Sequence, residues 1–206
     1  VARGKYIVIE GPNGTGKTTQ ADLLIDYLAK KGIKAHHIKE PGGSPIGEAI
    51  RSVLLDDTLD RTAMTNTLLF TANRHELWHS VIQPALERGE WIIGVRNYWS
   101  SLAIQGYGQG MDVSVIQAIT DTFTHPDYIN PEIGIIINFN NEKERLARIT
   151  KRNSAEPDRF ELEESDFQLR VNKGYEKIAK DRGIPLVDAG MTIQQIQGEI
   201  RQIIGV

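Results

Sequence analysis

Gly11-Pro12-Asn13-Gly14-Thr15-Gly16-Lys17-Thr18 carries the G-x-x-x-x-G-K-[ST] spacing of a phosphate-holding loop. The chemistry behind that spacing is simple. Glycines let the main chain curl until its N–H groups converge on phosphate oxygens, and a helix beginning at the loop adds the positive end of its dipole. Lys17 then reaches the β and γ oxygens, and the Thr18 hydroxyl can ligate Mg²⁺. All eight residues, Gly11 to Thr18, are therefore expected to bind ATP, with Lys17 catalytic and Thr18 the metal ligand.

The loop works only between a strand and a helix, and the flanking residues supply both. Residues 6–10 form a short apolar run, and residues 17–31 show helical spacing that stops at Gly32. Further strands are expected at 33–39, 91–95, 133–139 and 184–188. Helices are expected at 46–55, 63–86, 112–123, 141–151, 163–182 and 192–204. Residues 106–110 and 153–157 read as mobile loops. Apolar strands alternating with amphipathic helices make an α/β chain of the three-layer P-loop NTPase kind, a parallel five-stranded sheet with helices on both faces. A single domain over 1–206 is expected, because no internal repeat or long linker divides the chain.

Composition narrows the class. The chain has 206 residues, 40% hydrophobic and 25% charged, no cysteine and a formal net charge of −3. A disulfide scaffold, thiolate zinc sites and cysteine nucleophiles are excluded. A broad nucleic-acid surface would leave the domain basic, so that partner is not expected. The longest apolar run is too short to span a bilayer, and the first residues run straight into a strand without a hydrophobic leader, so no membrane partner and a cytoplasmic location are expected. There is no N-K-x-D guanine-reading motif, and the length leaves little room for a motor. A small phosphotransferase remains, and it needs an acceptor site and a lid.

Lys39-Glu-Pro-Gly-Gly43, Leu69-Phe-Thr-Ala-Asn-Arg74, Val95-Arg96, Ser100-Ser-Leu-Ala-Ile-Gln105 and Asp158-Arg-Phe-Glu161 follow the phosphate loop in fixed order. With it they resemble the thymidylate kinase family over nearly the whole chain. The resemblance implies transfer of the ATP γ-phosphoryl group to dTMP with Mg²⁺, by a homodimer. It assigns Phe70 to stacking on thymine, Arg74 to a base carbonyl, Arg96 to the acceptor phosphate, and Ser100, Ser101 and Gln105 to the stretch that meets the base edge. Lys39 stands where the family usually has arginine. A lid at about 145–160 would supply a catalytic arginine, Arg152 first, then Arg148 and Arg159, because Gly14 stands where a loop arginine could be.

Several residues depart from the pattern that the resemblance implies. Asn13, expected near the sugar 3′-hydroxyl, Asn73, Val95 and Asn138 stand where the family usually carries acids. Val95 matters most, because an aspartate there would help organise Mg²⁺, and Val95→Asp is expected to raise kcat. Ile104 stands where an aromatic residue usually crowds the sugar's 2′ side, so discrimination among pyrimidine monophosphates is expected to relax. The alternatives are thus a kinase for another (deoxy)pyrimidine monophosphate, or a nucleotide-binding homologue with attenuated catalysis. A third class is set by His75-Glu-Leu-Trp-His79, the H-E-x-x-H zinc pattern. Its extended version would need glycine and histidine where Ile82 and Ala85 stand.

Overall fold

The computed structural model describes residues 2–139 and 165–206. Strands β1 (Tyr6–Glu10), β2 (Ala35–Lys39), β3 (Trp91–Val95), β4 (Ile133–Asn138) and β5 (Leu186–Asp188) make one parallel sheet in the order β2-β3-β1-β4-β5. The helices are α1 (Lys17–Lys30), α2 (Pro45–Leu55), α3 (Ala63–Leu77), α4 (Gln83–Glu87), α5 (Tyr98–Ser101), α6 (Val113–Phe123), α7 (Pro126–Ile129), α8 (Ser165–Arg182) and α9 (Ile193–Ile204). The expected lid at 145–160, with Arg148, Arg152 and Arg159, lies outside the described residues, as does the helix expected at 141–151.

Every residue of β1 is buried, which explains its uninterrupted apolar sequence: helices cover both faces of the sheet. Successive side chains go to opposite layers. Tyr6 and Val8 join Leu77, Trp78, Tyr98, Ile116 and Tyr175 in one core, while Ile7 and Ile9 join Ala21, Leu24, Leu28, Ile196 and Ile200 in the other. The three layers expected from the sequence are present.

Two segments differ from expectation. The helix expected at 63–86 is interrupted by a π-helical turn, Trp78–Ile82, where the Gln83 N–H reaches back to the Trp78 carbonyl. Pro84 has no N–H to continue the α-helical ladder, so the wider turn falls just before it. Residues 106–110, expected as a loop, belong largely to a second π-helical turn, Leu102–Gly108. Its glycines serve close packing: a Cβ on Gly108 would lie 2.6 Å from Phe167 Cε2 on α8. Burial against α8 outweighs the entropy that glycine loses in a helix.

β1 lies between β3 and β4, so the connections leave it in both directions. In an open α/β sheet, the crevice at the carboxyl ends of such strands is where ligands bind. Gly11, Lys39 and Arg96 all stand at that edge.

Candidate active site

The phosphate loop leaves β1 at Gly11, whose φ of 139° is open to glycine alone, and a Cβ there would lie 1.9 Å from the Ile137 carbonyl oxygen. Gly14 and Gly16 also take positive φ, and Thr15 Oγ1 donates to the Pro12 carbonyl. Gly16 caps α1 with a left-handed backbone and offers no side-chain acceptor. Six other helices begin differently: Ser44, Thr62, Asn97, Asp112, His125 and Thr192 each accept a first-turn N–H on a side-chain atom. No side chain caps the first turn of α1, the arrangement that suits an anion. Lys17 is buried, with Nζ 2.6 Å from the Pro12 carbonyl oxygen, and Thr18 is exposed beside it.

Beneath the loop sits Glu10, a fully buried acid at the end of β1. Its Oε1 accepts from the Asn97 and Ser100 N–H groups at 2.7 and 3.0 Å, and its Oε2 from the Gly11 N–H at 3.1 Å. The Ser100 hydroxyl lies 2.8 and 2.9 Å from the two oxygens, and the Tyr175 hydroxyl donates to Oε2 at 3.0 Å. One carboxylate therefore ties the phosphate loop, the start of α5 and the middle of α8 together. Burial pushes the Tyr175 hydroxyl well up from its ordinary value, with the Glu10 charge acting in the same direction, so it stays a donor.

Arg96 follows β3 with a φ of 75°, a left-handed backbone that is unusual outside glycine. Its N–H still bonds the Ile9 carbonyl, so the residue is held to β1 while its side chain turns toward the loop. Nη1 donates to Ser100 Oγ at 3.0 Å and to the Tyr175 hydroxyl at 3.3 Å, and Nη2 donates to Asn13 Oδ1. Positive charge thus stands next to the loop, at the place a second phosphate would need it.

Arg74, on α3, is 2% exposed. Nε donates to Glu40 Oε2 at 3.0 Å, Nη1 to Ser101 Oγ at 2.9 Å, and Nη2 to the Asn97 carbonyl at 3.0 Å. Its guanidinium carbon lies 5.4 Å from the centre of the half-buried Phe70 ring. Two of its five N–H bonds remain beyond those three contacts. Glu40 also accepts from the Tyr128 hydroxyl, and burial drives its carboxyl up against the pull of Arg74. Gln105 is 1% exposed and neither amide atom finds a partner among the described residues, although Ile104 beside it is half-buried. A buried, unsatisfied amide on the acceptor stretch is what an absent polar ligand would leave behind. Lys39 is exposed at the end of the edge strand β2.

Of the four positions where acids were expected, Asn13 meets Arg96, and Asn73 Oδ1 accepts from the Gly42 N–H at 2.8 Å. Asn138 Oδ1 accepts from the Phe139 N–H at 2.9 Å. Val95 is 2% exposed and packs in the α1-side core. His75 and His79 stand with ring centres 4.7 Å apart, but among the described residues no group of three potential metal ligands forms, and the zinc pattern lacks its third partner. Sequence reasoning missed Glu10, Glu40, Asn97, Tyr128 and Tyr175. Only Glu10 carried a signal, an acid closing an apolar strand immediately before the glycine loop.

A phosphate loop at the switch point of a parallel sheet, facing a second cationic site on the next strand, defines a P-loop nucleotide phosphotransferase. The family model described as thymidylate kinase matches residues 9–200. A thymidylate kinase of Prochlorococcus marinus is 34% identical, over 97% of this chain and 96% of that protein. One of Halothermothrix orenii is 36% identical, over 96% and 95%. The crystal structure of thymidylate kinase from Ehrlichia chaffeensis superimposes with a TM-score of 0.76 at 28% identity, covering 98% of this chain and 99% of that one. The chain belongs to the thymidylate kinase family.

Proposed function

We propose that the chain transfers the γ-phosphoryl group of ATP to dTMP, giving dTDP. The observation that carries this reading is the convergence of the uncapped start of α1 and the left-handed Arg96 at the carboxyl edge of β1 and β3. Gly11 to Thr18 hold the donor phosphates, and Lys17 neutralises charge developing on the transferred group. Arg96 holds the acceptor phosphate with its forked guanidinium. Phe70 stacks on the base, and Arg74, Ser101 and Gln105 meet its edge. Ser100, on the stretch expected to meet the base edge, lies within hydrogen-bond distance of both Glu10 and Arg96. The roles of Arg148, Arg152 and Arg159 are carried by the family resemblance.

Magnesium fits this donor set. It takes one or two protein oxygens and leaves its other positions to phosphate and water. The exposed Thr18 hydroxyl would supply one, whereas both Glu10 oxygens are already occupied by hydrogen bonds. When bound, the ion would neutralise charge on the β and γ oxygens.

A second copy of the chain is the proposed partner. Val53 and Leu55 on α2, Met64 and Leu68 on α3, and Val115 and Phe123 on α6 are large exposed apolar side chains, and α3 packs against both α2 and α6. An apolar surface spread over three adjacent helices is characteristic of a covered interface. Among the described residues no helix is long and apolar enough to cross a membrane, and the cysteine-free composition suits the cytoplasm.

A coupled ADP-release assay over dTMP, dUMP, UMP and dCMP tests the reaction, with dTMP expected to give the highest kcat/KM. ADP release with none of them would overturn it. Sedimentation velocity tests the partner, and a monomer at micromolar concentration would refute the dimer.

A further inference from the structure

Tyr175 lies far from the residues that recognise nucleotide by motif, yet its hydroxyl is within reach of three of them or their supports. It is fully buried, 3.0 Å from Glu10 Oε2, 3.0 Å from Ser100 Oγ and 3.3 Å from Arg96 Nη1. Its position on α8 is closely set by its neighbour. A Cβ on Gly174 would lie 2.8 Å from Tyr107 Cδ2, so the Tyr107 ring, in the acceptor π-helical turn, rests on α8 one residue away.

The protons of this cluster can be ordered by elimination. Arg96 Nη1 can only donate, and both hydroxyl oxygens are placed to accept from it. Each hydroxyl then has one proton left to give. Glu10 is the acceptor between them, reached from Tyr175 directly or through Ser100. The buried negative charge of Glu10 is thus passed through two hydroxyls to the guanidinium. This matters because the Arg96 backbone is already in a disfavoured region and its long side chain would otherwise have several rotamers available.

We propose that Tyr175 is a positioning residue of the phosphotransfer site: with Ser100 it links the Glu10 carboxylate to the Arg96 guanidinium and fixes where that guanidinium meets the acceptor phosphate. The proposal rests on the reading that Arg96 holds that phosphate. Hydrogen bonds to a charged group are among the stronger ones, and a misplaced clamp loses most of its effect on a bound anion.

The test is a double-mutant cycle in the full chain, read by ADP release with dTMP and ATP varied separately. Tyr175→Phe keeps the buried ring and removes only the hydroxyl. It is expected to raise the dTMP KM about tenfold, leave the ATP KM within about twofold, and have almost no effect once Arg96→Ala is present. A merely structural tyrosine would lower the active fraction without separating the two KM values. Three results would overturn the proposal: an unchanged dTMP KM in Tyr175→Phe while Arg96→Ala raises it, a Tyr175→Phe penalty that persists undiminished beside Arg96→Ala, or equal shifts in both KM values. An Arg96→Ala enzyme with unaltered dTMP kinetics would instead sink the reading of Arg96, and the proposal with it. If Tyr175→Phe does not fold, Ser100→Ala removes the parallel hydroxyl from the other side and must show the same KM split; its absence overturns the link.

Discussion

On the proposed donor side, Gly11 to Lys17 would meet a phosphate mostly with main-chain N–H groups, shaped by three positive-φ glycines within seven residues. On the acceptor side the wall is made of side chains: Glu40, Arg74, Ser101 and Tyr128 in one cluster, Glu10, Ser100, Tyr175 and Arg96 in another. The first surface is contiguous in sequence and uses the one geometry that every triphosphate shares. The second is assembled from six separate stretches and, in the proposed reaction, must match one particular nucleotide. A backbone cradle is general, and a side-chain wall is adjustable. Apart from the half-buried Arg96, the polar groups of the wall are also buried, so each must be satisfied by the others or by ligand.

The largest effect separates the two sides by mechanism. Lys17→Ala removes the cation proposed to follow the transferred phosphoryl group and is expected to lower kcat at least about a thousandfold. The thermal midpoint should fall only a little, because the change loses the Lys17–Pro12 hydrogen bond while the loop keeps its glycines and the Thr15–Pro12 bond. ADP release and a melting curve on the same sample check both halves. Arg74→Ala strikes the fold as well as the proposed base contact. It strands the Glu40 carboxylate, 3% exposed, without its ion-pair partner, and should destabilise the fold by about 3 to 5 kcal/mol in urea titration. A loss below about 1 kcal/mol would mean that water or Tyr128 satisfies Glu40 unaided.

That asymmetry also explains what could be read from the amino-acid order. β1, the phosphate loop and α1 follow from a buried apolar run, glycine spacing and helical periodicity, all local in sequence. The proposed acceptor residues Phe70, Arg74 and Arg96 are named by family resemblance, whereas their supports have no such guide. Glu10 and Tyr175 are 165 positions apart, and nothing local distinguishes Tyr175 from an ordinary core aromatic on an amphipathic helix. The π-helical turn at Leu102–Gly108 was hidden for a different reason. Its glycines signal a loop, and only the presence of Phe167 and Val171 on α8 explains why they are packed as helix.

A smaller effect tests whether burial or pairing governs the Glu40 cluster. Burial raises its folded-state value above the ordinary 4.5, while Arg74 and Tyr128 pull it down. The net upward direction means the folded state binds the proton more tightly than the unfolded chain. The stability this contributes is fully present below about pH 4.5 and is lost as pH rises through the elevated folded value. The difference in melting temperature between the wild-type chain and Glu40→Gln should therefore shift against the wild type across that window. A difference that moves in the wild type's favour with rising pH would show that Arg74 outweighs desolvation.

The smallest effect falls where the wall touches the variable part of the nucleotide. Ile104 is half-buried and packs against the sheet core, immediately before the unsatisfied Gln105 amide. In the proposed site Gln105 would report the base edge by hydrogen bonding, but Ile104 can only fill space, and a branched aliphatic side chain would leave room where a ring would press on the sugar. Discrimination by filled volume is worth about 1 to 3 kcal/mol per missing group, far less than discrimination by a buried hydrogen bond. The wild-type chain should accordingly accept dUMP and UMP with kcat/KM within about tenfold to a hundredfold of dTMP. Ile104→Tyr should widen the gap between dTMP and UMP about tenfold, leaving the ATP KM unchanged. A wild-type preference for dTMP over UMP well beyond about a thousandfold would place 2′-hydroxyl rejection on another residue. The acceptor wall would then be less adjustable at this position than its side-chain construction implies.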